Sequence, residues 1–199
     1  MNWFEAKKNA LLEFSQAYHC KTLVETGTAA GDMISALNSY FEHVYSIELA
    51  NNYYRNAVQK FQHIDHIKIY EGDSGQVLKD IIPLLSGNVL FYLDAHYSGG
   101  NTARGSKETP ILEELQNILI AKNIQSIILI DDYEEFETNS NYPKITELKE
   151  YMNQFVYGIF DIIEPGIIVI IPVRFVDKTI QKPRKTPMIQ NKKGKQHAL

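Results

Sequence analysis

The 199-residue chain has a single cysteine, Cys20. That excludes an intrachain disulfide and a cysteine metal cluster, and leaves Cys20 to be read as a small buried or half-buried residue. No apolar run approaches the roughly 20 residues that span a bilayer. The opening MNWFEAKKNA also lacks the continuous apolar core of a signal peptide. These absences set the expectation of a cytoplasmic protein with no membrane span. Acids are missing from Lys178 to Leu199, where seven lysine and arginine side chains stand, so a chain of net −4 carries +7 there and −11 elsewhere. With Pro183, Pro187 and no hydrophobic period, residues 177–199 read as a basic, disordered tail, and residues 1–176 as one domain. A basic tail can touch nucleic acid, anionic lipid or polyanionic glycan, or simply stay solvated. The acidic remainder argues against a nucleic-acid partner, because phosphate contacts supply most of such affinity.

What is present is an ordinary globular composition, 44% apolar and 22% charged, organised around KTLVETGTAAGD at residues 21–32. A β-branched and apolar run ends in Glu25, turns through Gly27 and Gly31, and opens into the apolar-periodic segment Met33 to Phe41. Glycine lets backbone approach a ligand closely, and a helix start offers N–H groups and a positive dipole end. A dinucleotide turn would read G-x-G-x-x-G. Here Ala29 stands at the middle position and Asp32 at the third, which weakens a nicotinamide reading. An acid two residues before the first glycine, then G-x-A-x-G, resembles the first motif of the class I S-adenosylmethionine (SAM) methyltransferases. That resemblance implies that Glu25, Gly27, Thr28, Ala29 and Gly31 wrap the methionine part of SAM.

The rest of the chain alternates strands and helices. Asn2 to Tyr18 reads as an amphipathic helix. Glu42 to Glu48 is a second strand, followed by a helix from Asn51 to Phe61. Glu48 falls about 20 residues beyond the glycine turn, where an α/β nucleotide fold presents an acid to ribose hydroxyls. His66 to Glu71 is a third strand, and Gly75 to Leu85 a helix. The Gly72-Asp73-Ser74 step between them resembles the methyltransferase position that contacts adenine, and Asp73 or Ser74 is equally a good helix cap. Asn88 to Asp94 is an apolar central strand. Thr109 and Pro110 then open a helix to Lys122, Gln125 to Ile130 is a fifth strand, and Pro143 to Phe155 a helix. Tyr157 to Ile163 and Gly166 to Val173 form a hairpin about Glu164-Pro165-Gly166. Five βα units and a closing hairpin resemble the Rossmann-like α/β class I methyltransferase fold, a mostly parallel sheet with a C-terminal antiparallel hairpin.

Ligands of open parallel sheets sit at the carboxyl ends of the strands. Strand four ends in Asp94 and His96, and strand five in Asp131 and Asp132. If those strands are neighbours, three carboxylates converge, and like charges so placed call for a cation. An all-oxygen set suits a hard divalent ion such as Mg²⁺, so Asp94, Asp131 and Asp132 are candidate metal ligands. FYLDAHYSGG and ILIDDYEEF resemble the strand ends of the macrocin O-methyltransferase family, metal-dependent enzymes that methylate sugar hydroxyls. The likeness implies the same three ligands and a hydroxylated small-molecule acceptor, a saccharide or glycoside. His96 stands where that family has an acid proposed as general base, and a base with a pKa near 6.5 can take the hydroxyl proton. Asp94 and His96 are thus the candidate catalytic pair. Ser98 to Ser106 reads as a lid, with Arg104 and Lys107 available to an anionic group. A non-catalytic SAM-binding module and another nucleotide-dependent enzyme are the competing readings.

Overall fold

The computed structural model describes residues 2–95, 109–155 and 157–172. Its elements are α1 (Trp3–Ala17), β1 (Thr22–Thr26), α2 (Asp32–Leu37), β2 (His43–Glu48), α3 (Asn51–Phe61), β3 (Ile67–Glu71), α4 (Ser74–Ile81), β4 (Gly87–Leu93), α5 (Ile111–Ile120), β5 (Ile124–Ile130), α6 (Tyr133–Thr138), α7 (Ile145–Met152), β6 (Tyr157–Ile163) and β7 (Ile167–Pro172). The strands form one sheet in the order β3-β2-β1-β4-β5-β7-β6. The first five are parallel, and β7 runs antiparallel to both β5 and β6. The expected hairpin is therefore present, with its second strand inserted between β5 and the first. Strand order reverses between β1 and β4, which is where an open parallel sheet leaves a crevice at its carboxyl edge.

Period-two alternation divides the strands between two cores. Val24, Tyr45, Ile47, Phe91, Leu93, Ile128 and Ile130 pack with α4, α5 and α7 on one face. Leu23, Val44, Leu90, Tyr92, Ile127 and Leu129 pack with α1, α2 and α3 on the other. Burying each Leu, Ile or Phe in these layers stabilises the fold by roughly 1.5–3 kcal/mol. On α1, Ala10, Leu11 and Phe14 are buried, at the spacing of one helical face.

Local chemistry explains where the elements depart from the sequence reading. The helix expected to reach Phe41 stops at Leu37 and tightens into a 3₁₀ turn, Asn38–Tyr40. There the Asn38 side-chain amide donates to the carbonyl of Ile34 at 3.0 Å, competing with the backbone ladder. Helix α7 is shorter than the predicted Pro143 to Phe155. Helix α6 was not predicted at all, because six residues with one buried apolar side chain, Phe136, show no period. The His96 to Glu108 connection and the tail lie outside the described residues.

Gly27 adopts φ +86°, and a Cβ there would stand 2.5 Å from the carbonyl oxygen of Asp94. The glycine thus brings the β1 turn against the end of β4. Gly27→Ala is expected to lower the unfolding free energy by roughly 2–5 kcal/mol from strain and overpacking together. Denaturant unfolding measures it, and an unchanged midpoint would contradict this contact.

Candidate active site at the carboxyl edge of the sheet

The same alternation places the polar strand ends. Glu25 shares the face of Leu23, and Ser46 and Glu48 share that of Val44. Tyr92 and Asp94 follow Leu90, and Asp131 follows Leu129. All six side chains therefore lie on the face covered by α1, α2 and α3. Register makes them neighbours, since Glu25 pairs with both Ser46 and Tyr92. Asp94 and Asp131 stand one residue beyond the paired Leu93 and Ile130.

Around the glycine turn, much of the hydrogen-bonding capacity is used within the protein. Gly27 and Thr28 N–H groups donate to the carbonyl of Ile47 at 2.9 and 3.3 Å, and Gly31 N–H to that of Thr28 at 2.8 Å. Ala29 N–H donates to Glu48 Oε2 at 2.8 Å, and Ala50 N–H to Glu48 Oε1 at 2.7 Å. Glu48, expected to meet ribose hydroxyls, thus also clamps the β1 turn to the start of α3. Room that the glycines leave is filled by protein. A Cβ at Gly27 would meet the Asp94 backbone, and one at Gly31 the Phe61 ring.

Glu25 is 2% exposed. Ser46 Oγ–H donates to its Oε2 at 2.6 Å, and Thr28 Oγ1 lies 2.6 Å from Ser46 Oγ. Burial pushes the Glu25 carboxyl up to about 8, with the Ser46 hydrogen bond opposing and the charges of Asp94 and Glu48 adding to the rise. On the opposite face Ser74 is buried under α5, and Asp73 occupies the N-cap position of α4 without a side-chain cap bond. Nearby Glu114, which the sequence reading missed inside an apolar helix, is 1% exposed. Burial pushes its carboxyl up to about 7.

A lysine meets the two acids at the end of β5, and Tyr92 links that end to Asp94 of β4. Lys7 Nζ of α1 lies 2.6 Å from Asp131 Oδ2 and 3.4 Å from Asp132 Oδ1. Tyr92 O–H donates to the same Asp131 Oδ2 at 2.5 Å and to Asp94 Oδ2 at 3.4 Å. Asp132 N–H donates to Asp131 Oδ1 at 2.8 Å. Both oxygens of Asp131, whose side chain is 1% exposed, are thus engaged by protein donors. Burial and the neighbouring carboxylates hold the Tyr92 hydroxyl well above its ordinary pKa, so it remains a donor. For Lys7, burial works toward a lower pKa, and the hydrogen bond and charge of Asp131, with the charges of Asp132 and Asp94, outweigh it and raise the value. Among the described residues no three His, Cys, Asp or Glu side chains gather so as to hold a metal ion. The described geometry of Asp94, Asp131 and Asp132 therefore does not fit the divalent ion expected there. His96, the expected base, lies outside the described residues. Lys7 had a signal in the sequence, for it falls on the same helical face as Ala10, Leu11 and Phe14, where a charge is out of place.

No protein-family model and no curated protein matches the sequence. Solved structures do match. The SAH-bound methyltransferase PaMTH1 of Podospora anserina is 16% identical with a TM-score of 0.59, over 83% of this chain and 77% of that one. An O-methyltransferase from Bacillus cereus in complex with SAH is 13% identical with a TM-score of 0.59, over 83% and 80%. The 23S rRNA methyltransferase ErmE is 11% identical with a TM-score of 0.53, over 83% and 67%. At such identities the likeness is one of fold, and the fold is the Rossmann-like one of these methyltransferases, closing hairpin included. No helix among the described residues is long and apolar enough to cross a membrane.

The raised Glu25 carboxyl has a consequence for stability. Its folded pKa of about 8 exceeds the ordinary 4.5, so the folded state holds the proton more tightly. Stability from this group is complete below about pH 4.5 and is lost as pH rises through about 8. Thermal melts across that window should show a steeper decline for the native protein than for Glu25→Gln. Parallel slopes would contradict the assignment.

Proposed function

We propose that the protein is a SAM-dependent methyltransferase that transfers the methyl group to a hydroxyl of a small molecule, a saccharide or glycoside. The observation that carries this reading is the convergence of Glu25, Glu48, Asp94 and Asp131, from four adjacent parallel strands, at the crevice of this fold. Fold neighbours with SAH bound support SAM as donor. In this reading Gly27, Thr28, Ala29 and Gly31 shape the turn beside the methionine end, and Glu25 faces its positive charge. Glu48 accepts from the ribose while clamping the turn, and Asp73 and Ser74 stand on the adenine side. The saccharide class rests on the likeness of the β4 and β5 ends to the macrocin family. An acid-lined face is also poorly matched to a polyanionic acceptor.

The reaction joins the acceptor oxygen to the sulfonium methyl carbon as the carbon–sulfur bond breaks. The bonding pair goes to sulfur, leaving SAH and a methyl ether. The hydroxyl proton passes to the imidazole of His96, the base expected from the sequence. Holding donor and acceptor in line supplies as much as about 7–11 kcal/mol of the barrier, more than a general base worth roughly 10²–10⁴-fold. The metal assistance expected from the sequence enters none of these steps.

Titration calorimetry should detect SAM and SAH and give no signal with NAD. Binding of the cationic SAM favours ionised Glu25, so its affinity should rise as pH climbs from 7 toward 8 and level off above, a dependence that Glu25→Gln abolishes. Radiolabelled transfer onto a panel of saccharides then reads the acceptor class. Failure to bind SAM at any pH would overturn the reading, and SAM binding with no transfer to any hydroxylated acceptor would make the protein a binding module.

A further inference from the structure

We propose that Lys7 is the resident cation of this site: its ammonium, held between Asp131 and Asp132 in the place a divalent ion would need, positions the strand-end carboxylates so that the protein works without metal. Three features of the geometry point to it. Lys7 reaches the cluster from α1, an element outside the βα units, whose Ala10, Leu11 and Phe14 are locked into the core one and two turns further on. Its ammonium is 2.6 Å from a carboxylate oxygen that is almost wholly buried. Tyr92 and the Asp132 amide take up remaining capacity of the same carboxylate.

A buried carboxylate layer needs positive charge, and the fold can supply it in two exclusive ways. A magnesium ion demands near-octahedral oxygen ligands at about 2.0–2.1 Å and keeps several waters. An ammonium is a point charge with three donors and makes no such demand. Both cannot sit against Asp131 Oδ2, since two cations at that separation repel strongly. Lys7 is covalently tethered, and removing it would leave Asp131 buried without its counter-ion, an arrangement far costlier than the intact pair. Lys7 is therefore a positioning residue: it fixes where Asp131 and Asp132 point, and it makes α1 part of the site rather than a brace on the back of the sheet.

The inference rests on the methyltransferase reading only where it speaks of turnover; occupancy by the ammonium is tested without any substrate. Mn²⁺ added to the ligand-free full-length protein is followed by the paramagnetic resonance signal of the free ion. The native protein should leave that signal unchanged. In the transfer assay native turnover should be indifferent to chelator. Lys7→Met should lose kcat by about 10²-fold, the order expected on removing one preorganised electrostatic group, with KM for SAM little changed. Lys7→Arg should recover most of the loss, which a merely structural contact would not predict. Stoichiometric Mn²⁺ uptake by the native protein, or turnover that stops with chelator, would overturn the proposal, and neither observation needs a folded variant. If SAM does not bind, the methyltransferase reading falls while the Mn²⁺ result still decides the place of Lys7.

Discussion

Side-chain alternation along parallel strands is the constraint from which the site follows. Once Leu23, Val44, Leu90 and Leu129 face α1, α2 and α3, the residues two further on have no choice of side. Glu25, Ser46, Tyr92 and Asp131 must then share a face, and the buried edge of the sheet becomes a carboxylate layer. Desolvated like charges raise one another's cost, and each acid is relieved in its own way. Glu25 is relieved by holding a proton, Glu48 by two backbone amides, and Asp131 by an ammonium, a phenol and an amide. These devices differ because each strand end meets a different neighbour: the glycine turn, the start of α3, or α1.

The arrangement links stability to function through the same groups. Glu48 ties the turn at Ala29 to the entry of α3, and Gly27 seats that turn on the backbone of Asp94. The β1 turn and the end of β4 are thus in direct contact through backbone. A disturbance at the turn is therefore transmitted to the end of β4. The central strands are apolar over most of their length and polar at their carboxyl ends, so the core fixes where the polar edge lies.

Much of this was legible in the sequence. Short β-branched runs ending in acids marked β1, β2, β4 and β5, and the Glu164-Pro165-Gly166 turn marked the hairpin. The neighbouring placement of Asp94 and Asp131 followed from treating the fourth and fifth strands as adjacent. What stayed hidden was long-range. Lys7 and Asp131 are far apart in the chain, and only tertiary packing of α1 brings them to 2.6 Å. The insertion of β7 between β5 and β6 depends on the return path of the hairpin, which local pattern does not encode. Glu114 is buried only by the packing of α5 against α4, which local pattern does not show, and a six-residue α6 carries too little periodicity to register.

The most direct measurement is a crystal structure grown with SAH and Mn²⁺, with anomalous scattering collected for manganese. The account predicts SAH in the crevice beside Glu25 and Glu48, Lys7 Nζ in contact with Asp131, and no anomalous peak among Asp94, Asp131 and Asp132. A manganese peak bonded to those carboxylates, with Lys7 swung away, would contradict it.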